Sequence, residues 1–149
     1  MTDHEATDSA KTPWHFWVIS VVAVLWNAMG ALDYFMTKTR NEGYMSQFTP
    51  EQLEFFYSIP AWAVATWAIA VWGALLASVL LLLRRSLAVQ VFLASFICML
   101  ITMFQNYGLS NGFDVIGDTF SLAFTGVIFV IALFLFLYSR GMDQKGVLR

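Results

Sequence analysis

The chain has 149 residues, of which 59% are hydrophobic and 17% aromatic, while only 12% are charged. In soluble domains, about a quarter of all residues are charged. This composition therefore indicates an integral membrane protein and excludes a nucleic-acid-binding surface or a long charged tail. The formal net charge of -2 points to no particular partner, and the length predicts a single membrane domain over residues 1–149.

Four apolar stretches are long enough to cross a bilayer. A hydrocarbon core of about 30 Å takes roughly 20 helical residues, and the stretches cover about 14–36, 60–83, 87–108 and 119–139. An open segment in lipid must be helical, because it has to satisfy its own backbone hydrogen bonds. The sequence thus predicts an all-α membrane protein, a four-transmembrane-helix bundle.

The loop between the first two spans carries its own helix signals. The run Thr49-Pro50-Glu51-Gln52 combines an N-cap, a proline at the first helical position and a glutamine that can close a capping box. It predicts a short surface helix over about 50–58 that lies on the membrane or caps the bundle. The apolar side of this helix is expected to contain Leu53, Phe56 and Tyr57.

The last span has signals at both ends. The loop before it, about 109–118, contains the turn Asn111-Gly112, and Asp118 can cap the helix that follows. Arg140-Gly141, a cation followed by glycine, predicts the end of this helix.

Lysine and arginine predict the orientation. With a cytoplasmic N-terminus, only Lys38 and Arg40 lie outside. The inside residues are Lys11, Arg84, Arg85, Arg140, Lys145 and Arg149. Both termini are therefore expected in the cytoplasm, and the helix over 50–58 on the outer, periplasmic side.

No motif for catalysis or for a cofactor is present. The single cysteine, Cys98, cannot build a disulfide framework. The histidines, His4 and His15, precede or begin the first span, so they cannot ligate a haem at membrane depth. A phosphate-binding loop, a nucleophile elbow and an HExxH motif are all missing. We expect neither an enzyme nor a bound cofactor or metal.

Polar side chains at membrane depth are the candidate functional residues, because burying them is costly. In the first span Asn27, Asp33 and Tyr34 lie within one arc of about 120°. The first and third spans run in the same direction, so these residues are expected to meet the polar outer part of the third span. The predicted outer pocket consists of Asn27, Asp33, Tyr34, Trp62, Gln105 and Asn106. The alternative is that the amides only form hydrogen bonds between helices.

Asp33 has two interpretations of its own. It is the only acid within a predicted span, and it lies close to Lys38 and Arg40. An ion pair with one of these loop cations is the first interpretation. The second is a buried carboxyl group that couples to proton movement.

The second span carries a stripe of small residues. Thr66, Ala70, Gly73 and Ala77 follow one another at spacings of three and four. Such a stripe permits close helix approach, either within the bundle or across a dimer face. Trp67 and Trp72 on this span are about 140° apart, so at least one is expected to face lipid or another subunit.

Several of these motifs also occur together in one family. They are Trp26-Asn27, Gly30 and Asp33, the loop run Thr49-Pro50-Glu51-Gln52, Pro60 with Trp62, and the leucine run that ends in Arg84-Arg85. Over roughly residues 14–140 the pattern resembles a group of small four-helix bacterial membrane proteins that are often labelled sugar transporters. The resemblance implies a multi-pass protein of the bacterial inner membrane. It implies no substrate and no catalytic residue.

Two functions follow as hypotheses. The first is a binding or transport-related module for a small polar molecule near the outer face, for which transport by four short spans would require a homo-oligomer. The second is an accessory or assembly subunit that packs on a larger membrane complex through Trp67, Trp72 and the small-residue stripe.

Overall fold

A computed structural model describes residues 12–110 and 112–149. The described part of the chain is helical and contains no strand. His4, Lys11 and Asn111 lie outside the described residues, so the structure does not test the predictions that involve them. The elements are α1 (Trp14–Lys38), α2 (Glu42–Met45), α3 (Pro50–Tyr57), α4 (Ala61–Leu82), α5 (Leu87–Met103), a π-helical turn (Phe104–Leu109), α6 (Gly112–Ile116) and α7 (Thr119–Gln144).

The four predicted spans are confirmed as long helices. α1, α4, α5 with its π-helical turn, and α7 are each long and apolar enough to cross a membrane. The protein is therefore an all-α, four-helix membrane bundle. Their bounds agree with the predicted ones within about two residues, except at the end of α7.

The predicted end of α7 at Arg140-Gly141 is wrong. The helix continues to Gln144, and the C-cap is Lys145. Gly146 follows with a φ of 79°, in the left-handed region that glycine enters without steric cost. Both glycines follow a basic residue, but only the second has this conformation.

The four long helices pack in the order α1, α4, α5, α7. α4 packs against α1 and α5, and α5 also packs against α7. The side chains of α1 and α7 meet in two ring contacts. Trp26 lies 6.2 Å from Phe124, and His15 lies 5.9 Å from Tyr138, with a hydrogen bond of 2.8 Å between Nδ1 and the hydroxyl.

The small-residue stripe of α4 packs against α5 within the chain. The Thr66 and Thr102 hydroxyls are 2.8 Å apart, and Ser95 donates to the Ala70 carbonyl. A Cβ added to Gly73 would lie 3.4 Å from the Ser95 Cβ. The predicted close helix approach is thus confirmed within the bundle. Because α5 covers the stripe, it cannot serve as the contact surface of an accessory subunit.

We call the end of the bundle at residues 83–86 the loop end. The apolar core is concentrated there, and its buried residues include Phe16, Leu81, Phe92, Leu135, Met142, Val147 and Leu148. The segment after α7 pairs with the loop. The Arg149 amide donates to the Arg84 carbonyl at 2.7 Å, and the Ser86 amide donates to the Arg149 carbonyl at 2.9 Å.

We call the opposite end, which carries α2, α3 and α6, the α6 end. The capping box of α3 is confirmed. Thr49 Oγ1 accepts from the Gln52 amide at 3.2 Å, and the Thr49 amide donates to Gln52 Oε1 at 3.1 Å. The expected apolar side of α3 is not its most buried one, because α3 packs against α6 and buries Phe55. Phe56 instead contacts Phe48, with ring centroids 5.2 Å apart.

Candidate functional site

The structure distributes the six predicted pocket residues over two sides of α4. Asn27, Asp33 and Tyr34 lie on α1. Gln105 and Asn106 lie in the π-helical turn that continues α5, and Trp62 lies in the first turn of α4.

Asn27 lies far from the α6 end. Its Nδ2 donates to Ser78 Oγ at 2.6 Å, and Ser78 lies four residues before the end of α4. At about 1.5 Å per helical residue, this pair lies roughly 20 Å along the bundle from Gln105. The expectation that Asn27 shares a pocket with Gln105 and Asn106 is therefore wrong. The helical periodicity of α1 predicts which of its residues share the polar face. It does not predict how far along the bundle these residues lie from the polar residues of α5.

Asp33 is paired with a neutral group. The Tyr44 hydroxyl, in α2, donates to Asp33 Oδ1. Among the described residues, the expected ion pair with Lys38 or Arg40 is not formed. The Arg40 guanidinium instead lies over the Tyr57 ring, 4.2 Å from its centroid. The acid and its loop neighbour hold α2 against the end of α1. Proton coupling by Asp33 stays a prediction.

The contact with Asp33 also affects Tyr44. Partial burial raises the pKa of the Tyr44 phenol, and the hydrogen bond to the Asp33 carboxyl group raises it further. Tyr44 therefore keeps its proton, and its ability to donate, well above neutral pH.

Tyr34 belongs to an aromatic cluster between α1 and α4. Its ring lies edge-on to Trp67, with centroids 4.7 Å apart, and to Trp72, with centroids 6.5 Å apart. The Trp72 side chain is 45% exposed, in agreement with the expectation that at least one of these tryptophans faces lipid or another subunit. The cluster packs α1 on α4.

Gln105 and Asn106 each have a buried side-chain oxygen without a hydrogen-bond partner among the described residues. Gln105 is only 3% exposed, and its Nε2 donates to Ser110 Oγ at 2.7 Å. Gln105 Oε1 and Asn106 Oδ1 are buried and have no hydrogen-bond donor among the described residues. A third such atom in the described chain, Ser20 Oγ, lies on α1. Each unsatisfied buried acceptor costs about 1–3 kcal/mol.

The π-helical turn sets the geometry of these two residues. A π-helical turn inside an α-helix is uncommon and frequently occurs at functional sites. α6 rests directly on this turn, because a Cβ at Gly112 would overlap the Asn106 backbone oxygen. Only glycine permits such an approach of two backbones.

Trp62 lies at the same level as the two amides. α4 and α5 run antiparallel, with Thr66 opposite Thr102 and Gly73 opposite Ser95. When this pairing is extended by one helical turn, Trp62 lies opposite Asn106. The Trp62 side chain is 48% exposed. Three of the six predicted residues, Trp62, Gln105 and Asn106, are thus brought to one level.

A second feature at this end was missed in the sequence. An apolar groove of about 610 Å³ runs between the last part of α5, the π-helical turn and α7. Its lining includes Leu100, Phe104, Gly108, Leu122, Gly126 and Phe129. Gln105 and Asn106 belong to the same turn but do not line it. The only features of the sequence that indicate this groove are its lining glycines, Gly108 and Gly126, because they leave room between two helices.

Within the described residues, no group of three His, Cys, Asp or Glu side chains could hold a metal ion. The comparisons with family models, curated proteins and solved structures give no match for this chain. The resemblance to the four-helix bacterial family therefore rests on the sequence motifs quoted above. The fold defines the class, a small all-α membrane protein with four candidate spans.

Proposed function

We propose that this protein binds a small polar molecule at the α6 end, as a binding or transport-related module. The ligand is a hydrogen-bond donor, such as a hydroxylated compound or an amine. The observation that carries this proposal is a pair of buried oxygens, Gln105 Oε1 and Asn106 Oδ1, for which the described part of the chain supplies no hydrogen-bond donor.

The packing of the two ends supports the same location. The loop end contains the large apolar core residues and is closed by Val147 and Leu148. At the α6 end, α3 and α6 cover the bundle through contacts between short helices. Short helices with few buried apolar contacts open at a lower free-energy cost than a packed core. Access to Gln105 is therefore expected from the α6 end.

We also propose that the α6 end faces the outside of the bacterial inner membrane. Lys38 and Arg40 are the basic residues of this end. The described basic residues of the loop end are Arg84, Arg85, Arg140, Lys145 and Arg149. Basic residues are enriched in cytoplasmic loops, so this distribution favours cytoplasmic termini.

Ligand-dependent stabilisation tests the binding proposal. The purified protein is heated in mild detergent with a panel of sugars, polyols and alkylamines. A ligand at about 100 times its Kd stabilises the folded state by about 2.7 kcal/mol. We expect at least one class to raise the unfolding temperature of the wild type, and Gln105→Leu together with Asn106→Leu to abolish that rise.

Gln90→Leu is the matched control, because Gln90 is an exposed glutamine on the same helix, α5. It should respond to the ligand like the wild type. A structural water would also satisfy the two oxygens. In that case no compound would stabilise the wild type selectively, and the proposal would be wrong.

An accessory subunit is the second candidate, and the exposed Trp72 is the observation that favours it. It predicts that a defined larger partner is recovered from native membranes in mild detergent and is lost on Trp72→Leu. Recovery of the chain alone, or only with copies of itself, would contradict this candidate.

A further inference from the structure

The groove between α5 and α7 lies where the bundle meets lipid. Two of its lining side chains are among the most exposed large apolar residues of the described chain, Phe104 at 61% and Phe113 at 63%. The polar atoms at its edge are paired with each other, since the Tyr107 hydroxyl lies 3.3 Å from Thr125 Oγ1. The surface that the groove offers is therefore apolar, and its occupant must be apolar as well.

The shape of the groove suits an extended apolar occupant. It runs along α5 and the π-helical turn from Leu100 to Gly108, and along α7 from Leu122 to Phe129. Its volume is about 610 Å³, and it is open along its length rather than enclosed. In a bilayer, the acyl chains of lipids are the long and flexible apolar groups that meet such a groove.

The charged residues beside the groove favour one class of lipid head group. The segment 109–118, which contains the groove residue Phe113, carries Asp114 and Asp118 and no lysine or arginine. Both acids are exposed. Hydrogen bonds from Ser121 lower the pKa of Asp118, so this carboxylate is charged at neutral pH. A negative segment attracts an ammonium group and repels a head group with a net negative charge.

We propose that this groove is a lipid-binding site, which holds an acyl chain of a phospholipid whose head group carries an ammonium, such as phosphatidylethanolamine. The acyl chain lies against Phe104 and Gly126, and the ammonium lies near Asp114 and Asp118. This site is independent of the polar site at Gln105 and Asn106, because those two side chains do not line the groove.

A glycine pair on α7 provides the test. Gly126 lines the groove and a Cβ added there meets nothing within 4 Å, so we expect a leucine at this position to occupy part of the groove. Gly141 has the same open surroundings on the same helix, but it is not a lining residue. Gly126→Leu is therefore the test variant and Gly141→Leu the matched control. Both substitutions favour the helical conformation.

Native mass spectrometry of the delipidated protein in detergent measures the binding of added phosphatidylethanolamine and phosphatidylglycerol with identical acyl chains. We expect the wild type and Gly141→Leu to bind phosphatidylethanolamine more tightly. Gly126→Leu should weaken that binding by about tenfold or more, which corresponds to 1.4 kcal/mol or more. Gly126→Ala, which fills less of the groove, should have an intermediate effect. Asp114→Asn combined with Asp118→Asn should narrow the difference between the two lipids.

Three results would overturn the proposal. The first is equal lipid binding by Gly126→Leu and the wild type, with both variants folded by circular dichroism. The second is tighter binding of phosphatidylglycerol than of phosphatidylethanolamine by the wild type. The third is a lipid-free dimer of the wild type that Gly126→Leu abolishes, which would assign the groove to a second copy of the chain.

Discussion

Asn27 Nδ2 donates a hydrogen bond of 2.6 Å to Ser78 Oγ and thereby joins α1 to α4. The Ser78 hydroxyl in turn donates to the Ala74 carbonyl at 2.8 Å. Hydrogen bonds between membrane helices contribute roughly 0.6–2 kcal/mol. We expect Asn27→Leu to lower the free energy of unfolding by about 1 kcal/mol, measured by titration with a denaturing detergent.

A double-mutant cycle with Ser78→Ala isolates this pair. The effect of Asn27→Leu should be smaller in the Ser78→Ala background, because the acceptor is already missing. Strictly additive effects would show that the hydrogen bond contributes nothing to stability.

Gly73 controls how closely α4 and α5 approach. A Cβ at this position would lie 3.4 Å from the Ser95 Cβ, which is tight but tolerable. Gly73→Ala should therefore change stability by less than about 1 kcal/mol, whereas Gly73→Leu should cost roughly 1–3 kcal/mol by overpacking the helix contact. Gly141→Leu on α7 is the control, because its surroundings are open. Equal effects of the two leucine substitutions would contradict the packing of the stripe.

Tyr44 is expected to make stability depend on alkaline pH. Burial, and then the hydrogen bond to Asp33, raise the pKa of its phenol in the folded state. The unfolded chain then loses the proton first. The contribution is complete below the ordinary tyrosine pKa of about 10 and is lost as the pH rises above it toward the folded pKa. The stability difference between the wild type and Tyr44→Phe should therefore decrease above about pH 10.

Asp33→Asn provides a second measurement on the same pair. It removes the carboxylate, so the Tyr44 phenol should ionise at a lower pH, which the ultraviolet absorbance of tyrosinate detects. An unchanged titration of Tyr44 in Asp33→Asn would show that burial alone sets its pKa.

Cysteine labelling tests the proposed orientation. Ser46 and Arg85 are both exposed and lie at opposite ends of the bundle. In a Cys98→Ala background, Ser46→Cys should react with a membrane-impermeant reagent added to intact spheroplasts, and Arg85→Cys should react only after lysis. The reverse pattern would place both termini outside.

The elements of this fold were predictable where the signal is local. The spans follow from apolar length, and the caps at Thr49 and Asp118 follow from residues within one turn of each other. Asp118 indeed accepts from the Ser121 amide at 3.1 Å. The end of α7 was mispredicted because Gly141 and Gly146 each follow a basic residue, and only the backbone conformation distinguishes them.

The candidate site was predictable only in part, because its pairings depend on two helices at once. Periodicity placed Asn27 on an interior face, but its partner depends on the axial offset and rotation of α4 relative to α1. Likewise, Tyr44 reaches Asp33 because α2 folds back on α1. The π-helical turn at Gln105 has no local sequence signal that separates it from a continuous α-helix. Residue types thus identified Gln105 and Asn106 as candidates. Only the structure shows that two of their oxygens lack a partner among the described residues.

The pairing of Arg149 with Arg84 and Ser86 has a consequence for biosynthesis. Val147 and Leu148, which complete the core at the loop end, are translated after all four spans. The ribosome releases a chain from the N-terminal side first, so the core shared by the four helices is complete only after this segment has been released. Until then the loop end of the bundle lacks the side chains of Val147 and Leu148.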